Sequence, residues 1–311
     1  MTLSYTQNLE DYHLSLAFAG QEHGFYIDVG AGHPVADNVS FWFYERGWRG
    51  IAVEPQPELA SLYRHIRPRD TCVQHLIGRV AGETDFYRFG RFHGLSTTVP
   101  AFADGGAQLG EAYEVVRTPM ITLAQLCEEH GVSEIDFLKA DVEGAEAEVL
   151  AGNDWTRFRP KVVVAEASML KDGSPNWESW EPLLLDQGYT FALFDTLNRF
   201  YVANEQPMIL ERMPRSRAPW DSATHMYEIG RAPESPLHPD HKLATDLTRA
   251  FWASLPTLEP AVLAMLLARA RGASPTAMAD LKEEVQTDSF KARLGRIACG
   301  YDGGQIVPEE S

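Results

Sequence analysis

Short apolar runs alternate with stretches of helical period along about the first two-thirds of the chain. Phe25, Tyr26 and Ile27 run into Asp28, and the run from Gly50 to Val53 stops at Glu54 and Pro55. Further runs cover 71–76, 135–140, 161–165, 189–194 and 200–203, and 84–89 alternates like a strand. Their length and branched or aromatic content predict strands. Helices fall between them. Asp37 or Asn38 can cap one over 39–46, ended by Gly47, and Pro57 opens another carrying Leu59, Leu62 and Tyr63. Thr122 and Gln125 have the spacing of a capping box for a helix ending at His130 and Gly131. Two more are expected, from about 144 to 151 and near 177–187. A glycine-rich loop is expected through 94–97 and 105–106.

Strands alternating with helices predict an α/β fold whose mostly parallel sheet is covered on both faces. The closely spaced last two strands predict an antiparallel hairpin at one edge. Residues 1–20 read as an N-terminal cap, with Ser4 or Thr6 starting a helix through Leu9, Tyr12, Leu14, Leu16 and Phe18. The sheet domain covers 21–205. Residues 206–240, rich in Pro, Arg and Ser, read as an irregular linker. From 241 to 300 the period becomes 3.6, with Leu243, Leu247, Phe251 and Leu255 on one stripe. Two or three short helices are expected there, followed by a flexible tail over 301–311.

The 311 residues are 44% hydrophobic and 23% charged, ordinary for a globular chain. The net charge of −17 repels nucleic acid, and no long Lys/Arg run offsets it. Cys72, Cys127 and Cys299 lack metal-ligand spacing and read as core or free thiols. The opening residues do not read as a signal peptide, and no apolar run is long enough to span a bilayer. These features lead to the expectation of a reduced, cytoplasmic protein without a membrane span.

The chemistry concentrates at strand ends. Gly30-Ala31-Gly32 follows Asp28 as a tight turn, which lets backbone N–H groups approach a ligand beside a carboxylate. That pairing suits a ligand with an anionic end and an amine, such as S-adenosylmethionine. Glu54, about twenty-five residues later, can accept the ribose hydroxyls of an adenosine. A nicotinamide dinucleotide site would need a third glycine where Val35 stands, and Pro34 interrupts the turn. Asp141, Glu143 and Glu146 follow the 135–140 strand, and Glu166 ends the 161–165 strand. Helix N-terminal complementarity alone explains Glu143 or Glu146, but not Asp141.

Together, several segments resemble the FkbM family of S-adenosylmethionine-dependent methyltransferases. They are Ser4-Tyr-Thr-Gln-Asn-Leu-Glu-Asp11, Gly24-Phe-Tyr-Ile-Asp-Val-Gly30, Phe43-Tyr-Glu-Arg-Gly-Trp-Arg-Gly50, Val53-Glu-Pro55, Gly94-Leu-Ser-Thr97, Leu138-Lys-Ala-Asp-Val-Glu-Gly144 and Leu197-Asn-Arg-Phe-Tyr-Val202. The resemblance spans roughly 4–203. It implies the class I methyltransferase fold, a Rossmann-like doubly wound sheet, here followed by a small C-terminal helical segment outside the resemblance. It implies cofactor roles for Asp28, Gly30 and Ala31 at the methionine end and for Glu54 at the ribose. Leu76 and Ile77 would lie along adenine, Gln7 would close over the cofactor, and Asp141 would share that crevice.

Family members methylate hydroxyls, often on sugars or secondary metabolites. The expected activity is therefore O-methylation of a sugar hydroxyl in a bacterial surface glycan or glycosylated metabolite. The alternatives are a non-sugar natural product as acceptor, or a non-catalytic module recruited to a glycan-assembly complex. A hydroxyl needs a base or a divalent cation to favour its alkoxide. His33, His93 and His225 are candidate bases. Asp141, Glu143 and Glu166 are candidate catalytic carboxylates and, if a metal is used, ligands for Mg²⁺. Residues 241–300 are a candidate surface for a homo-oligomer or a glycosyltransferase partner.

Overall fold

The computed structural model describes residues 3–108, 110–168, 176–274 and 277–302. The chain divides into two compact units, Met1–Met226 and Tyr227–Ser311. In chain order the strands are β1 (Leu3–Ser4), β2 (Phe25–Val29), β3 (Arg49–Val53), β4 (Thr71–Val73), β5 (Leu76–Ile77), β6 (Gly82–Phe89), β7 (Tyr113–Ile121), β8 (Phe137–Ala140), β9 (Val162–Glu166), β10 (Tyr189–Phe194), β11 (Asn198–Ala203) and β12 (Thr224–His225). The fold is mixed α/β.

Seven strands form the central sheet in the order β10-β11-β9-β8-β2-β3-β4. The pairs β2–β3, β2–β8, β3–β4 and β8–β9 are parallel. β11 is antiparallel to both its neighbours, so it alone runs against the rest. The fully buried run Val162-Val-Val-Ala165 reflects this burial on both faces.

Side chains alternate across the sheet and build two cores. Ile27, Val29, Leu138 and Val163 pack with Leu126, Cys127, Val149 and Leu184 on one face. Tyr26, Phe137, Val164 and Phe200 pack with Leu14, Phe18, Phe43 and Trp48 on the other. Helix termini follow local chemistry. Pro57 opens the helix Pro57–Ile66. Gln125 N–H donates to Thr122 Oγ1 at 3.1 Å while Thr122 N–H donates to Gln125 Oε1 at 2.9 Å, closing the capping box.

Several boundaries differ from the sequence reading. The run 71–76 divides: β4 stays in the central sheet, whereas β5 joins a second sheet of order β5-β7-β6. The stretch read as a glycine-rich loop contains the helix Pro100–Ala107, and β7 follows it. The first helix is Glu10–Ala17, preceded by Leu9 at φ 63°. Ser4 and Thr6 do not cap it; their hydroxyls donate to Asp11 Oδ1. Neither Asp37 nor Asn38 caps the helix Phe41–Glu45, because Asn38 turns its amide to the carbonyl of Ala31. The stretch 206–240 contains the helix Pro207–Arg212 and β12, which pairs in parallel with β1.

The second unit holds the helices His241–Ser254, Pro260–Arg271, Ala277–Glu284 and Asp288–Asp302. Its core is Leu255, Leu263, Ala264, Leu281, Val285, Phe290 and Leu294. The expected stripe does not build that core: Leu243 and Leu247 are each 60% exposed, and only Leu255 turns inward. Residues 301 and 302 continue the last helix, and the rest of the expected tail, 303–311, lies outside the described residues. No helix among the described residues is long and apolar enough to cross a membrane.

Candidate active site

The chain turns sharply after β2. Gly30 and Gly32 sit at φ 75° and 60°, a region side chains disfavour. At Gly30 a Cβ would lie 1.8 Å from the carbonyl oxygen of Asp141, so the turns after β2 and β8 require glycine to meet. The N–H groups of Gly30 and Ala31 both donate to the Val53 carbonyl at 3.1 Å. This ties the turn to the end of β3, where Glu54 follows.

Glu54 is 3% exposed. Its Oε2 accepts the Gly32 N–H at 2.9 Å and its Oε1 the Gln56 N–H at 2.8 Å. Burial outweighs these bonds and pushes its pKa up to about 7. An open cleft begins here, lined by Gly30, Gly32, Glu54, Gln56, Leu76, Ile77, Phe86, His93, Asp141 and Glu143 among others. The ends of β2, β3 and β8, with β5 of the second sheet, therefore bring Gly30, Glu54, Leu76, Ile77 and Asp141 to one wall. Asp28 is not on that wall. It is buried, with Oδ2 accepting from Ser40 Oγ at 2.7 Å and Oδ1 without a partner among the described residues. Arg67, also buried, donates to Ser40 Oγ and to Asn38 Oδ1, each at 2.8 Å, and so holds the groups beside Asp28.

Lys139 stands opposite Asp28 in the register of β2 and β8. It is buried and donates to Asp141 Oδ2 at 2.8 Å. Burial opposes its charge, but Asp141 and Asp28 outweigh burial and hold its pKa above the ordinary lysine value. Asp141, Glu143 and Glu166 each offer a carboxylate oxygen within 4.8 Å of the others. Burial, reinforced by Asp141, pushes Glu143 up to about 8 and Glu166 up to about 11. Glu146 is anchored differently, with Oε1 accepting the N–H groups of Val142 and Gly144.

The remaining candidates are dispersed. Gln7 is exposed and not on the cleft wall; Ala31 is buried against Ala52 and Tyr63. His33 Nδ1 accepts the N–H groups of Val35 and Ala36. His93 reaches the cleft, and burial lowers its pKa. His225 belongs to β12, stacks on Trp220 at 3.9 Å, and is neither on the cleft wall nor in the carboxylate group.

Residues 28–191 match the methyltransferase FkbM domain. The chain belongs to the FkbM methyltransferase family. No match is found among curated proteins. The matched FkbM segment starts at Asp28 and contains Glu54, Leu76, Ile77, Asp141, Glu143 and Glu166, whereas Gln7 and His225 lie outside it. Membership supports methyltransferase activity.

Sequence reasoning missed Lys139, Gln56, Thr97 and Arg67. Lys139 carried a signal, since a lysine inside a four-residue buried strand needs a buried partner. Thr97 stood only as the end of a segment resembling the family, and the bond from its Oγ1 to the Glu143 carbonyl at 2.8 Å arises only through the fold.

Proposed function

We propose that this FkbM domain is an S-adenosylmethionine-dependent O-methyltransferase acting on a sugar hydroxyl of a glycan or glycosylated metabolite in the cytoplasm. The observation that carries the reading is the single cleft joining Glu54 to Asp141 and Glu143 at the ends of parallel strands. The strand order supports a class I doubly wound sheet, since the chain winds outward in both directions from β2 and β8.

The residues fit the cofactor. Glu54 keeps both carboxylate oxygens anchored by backbone N–H groups, with lone pairs left for ribose hydroxyls. Leu76, Ile77 and Phe86 supply an apolar wall for adenine. Gly30 and Ala31 would put backbone beside the methionine end, and buried Asp28, whose Oδ1 has no partner among the described residues, would lend negative charge from behind the turn. Gln7 belongs to the segment that would close over this end. S-adenosylmethionine, when bound, supplies a methyl group on a positively charged sulfur. The chain's task is to align a hydroxyl with that methyl and take up the hydroxyl proton. Asp141, fixed by Lys139, orients the acceptor from the shared wall, and Glu143 on the same wall, in its ionised form, receives the proton.

The test is incubation of the full chain with methyl-labelled S-adenosylmethionine and a panel of glycans and nucleotide sugars, read by mass spectrometry. Label on a sugar oxygen is expected. Label on nitrogen or carbon only, or preferential binding of a nicotinamide dinucleotide, overturns the reading.

A further inference from the structure

We infer that Asp141, Glu143 and Glu166 form a divalent-cation site for a hard ion of the Mg²⁺ or Mn²⁺ type, at the carboxyl ends of β8 and β9. The first observation is convergence. One oxygen from each residue lies within 4.8 Å of the other two, although they come from a strand end, a turn and a neighbouring strand. Such an all-oxygen donor set suits hard cations and no soft metal.

The second observation is Glu166 itself. It is 4% exposed, and its Oε2 is buried with no hydrogen-bond partner among the described residues. An orphaned buried carboxylate oxygen is costly, and hydrogen bonds elsewhere on the residue do not relieve it. Glu166 is one of the trio, so a cation held by these carboxylates would give this side chain an interaction that the described residues do not supply. Neighbouring groups do not supply it. Among the described residues, Lys139 faces these acids and donates to Asp141 Oδ2. Glu146 stands close by but is excluded from the ligand set, since Val142, Gly144 and Asn176 occupy its oxygens.

Asp141 and Glu143 also line the cleft, so the ion would stand at its border. Three carboxylate oxygens leave about half of an octahedral shell open. Water and the acceptor hydroxyl would take those positions, and the bound hydroxyl would lose its proton more readily. This last step rests on the O-methyltransferase reading; the binding of the ion does not.

The test is titration of the chelator-treated full chain with Mn²⁺, followed by electron paramagnetic resonance, with Mg²⁺ as competitor. One Mn²⁺ per chain is expected, displaced by Mg²⁺. Even outer partners of metal ligands are worth about 10–100-fold in affinity, so Glu166→Gln should weaken binding by at least ~tenfold. Glu143→Gln, at a less buried position, should do the same and serves if Glu166→Gln does not fold. Absence of stoichiometric binding, or equal binding by wild type and a folded variant, overturns the site. Methyl transfer measured with and without EDTA then separates the two parts. Loss restored by Mg²⁺ supports the acceptor step, and activity indifferent to EDTA rejects that step while the resonance titration still decides the site.

Discussion

At Glu54 a single side chain serves two purposes, because the oxygens expected to meet a ribose also anchor Gly32 and Gln56. Glu54→Ala should therefore weaken S-adenosylhomocysteine binding by roughly 1–3 kcal/mol, the scale of leaving buried donors unpaired. Calorimetry checks this, and unchanged affinity would remove Glu54 from the site. Asp141→Asn keeps the shape but takes the charge from the Lys139 pair that orients the acceptor, so methyl transfer should fall ~100-fold, and normal turnover would remove Asp141 from the site. Asp195 gives a prediction for stability. Burial, then the neighbouring Glu10, raises its carboxyl to about 8. The folded chain thus holds a proton that the unfolded chain has released. This contribution is complete below the ordinary aspartate range and is lost as pH rises toward 8, at up to about 1.4 kcal/mol per unit. Asp195→Asn should flatten that slope in denaturant titrations between about pH 5 and pH 8. Glu54 and Asp141 were legible in the sequence because an acid that stops an apolar strand is conspicuous. The orphaned oxygen of Glu166 was not, because it depends on which neighbours fail to reach it.

Among the elements, the parallel strands and the capping box could be read directly, since period and spacing encode them. β7 could not. Pro119 cannot donate to a ladder, and Glu114 and Arg117 break the apolar pattern. The structure accommodates the proline by length. β5 is two residues long and pairs only with Met120 and Ile121, so Pro119 faces β6 on one side and lies beyond the end of β5 on the other. The turn after β2 makes the opposite case, a feature whose glycine was legible and whose reason was not. Gly30→Ala adds a Cβ against the Asp141 carbonyl and an unfavourable φ. A loss of at least about 1–3 kcal/mol is expected from the denaturation midpoint. Cofactor affinity should fall with it, since the same turn forms the cleft wall.

For the molecule as a whole, the two units differ in how far sequence reached them. In the sheet unit the central strands were legible because buried strands carry strong patterns. The helical unit was foreseen only as helices: Leu243, Leu247 and Phe251 share a stripe, yet they remain exposed while Leu263, Leu281 and Phe290 make the core. A periodic stripe identifies a face without saying what that face meets. Residues 229–240 lie in the second unit before its first long helix, contain no helix or strand, and are mostly exposed. Limited proteolysis should cut there first, with mass spectrometry of the fragments as the check; a first cut inside 137–166 would contradict that division.

The pairing of β1 with β12 joins Leu3–Ser4 to Thr224–His225 across more than two hundred residues. On a ribosome, the opening segment must therefore wait for its partner. At ordinary elongation rates that interval is roughly 10–40 s. During it Glu10 also lacks Asn198, which later donates to it at 2.8 Å. The emerging chain thus carries an unmatched edge and an unmatched acid until synthesis has passed the sheet. Completion of this pairing therefore depends on the last strand of the first unit to be made.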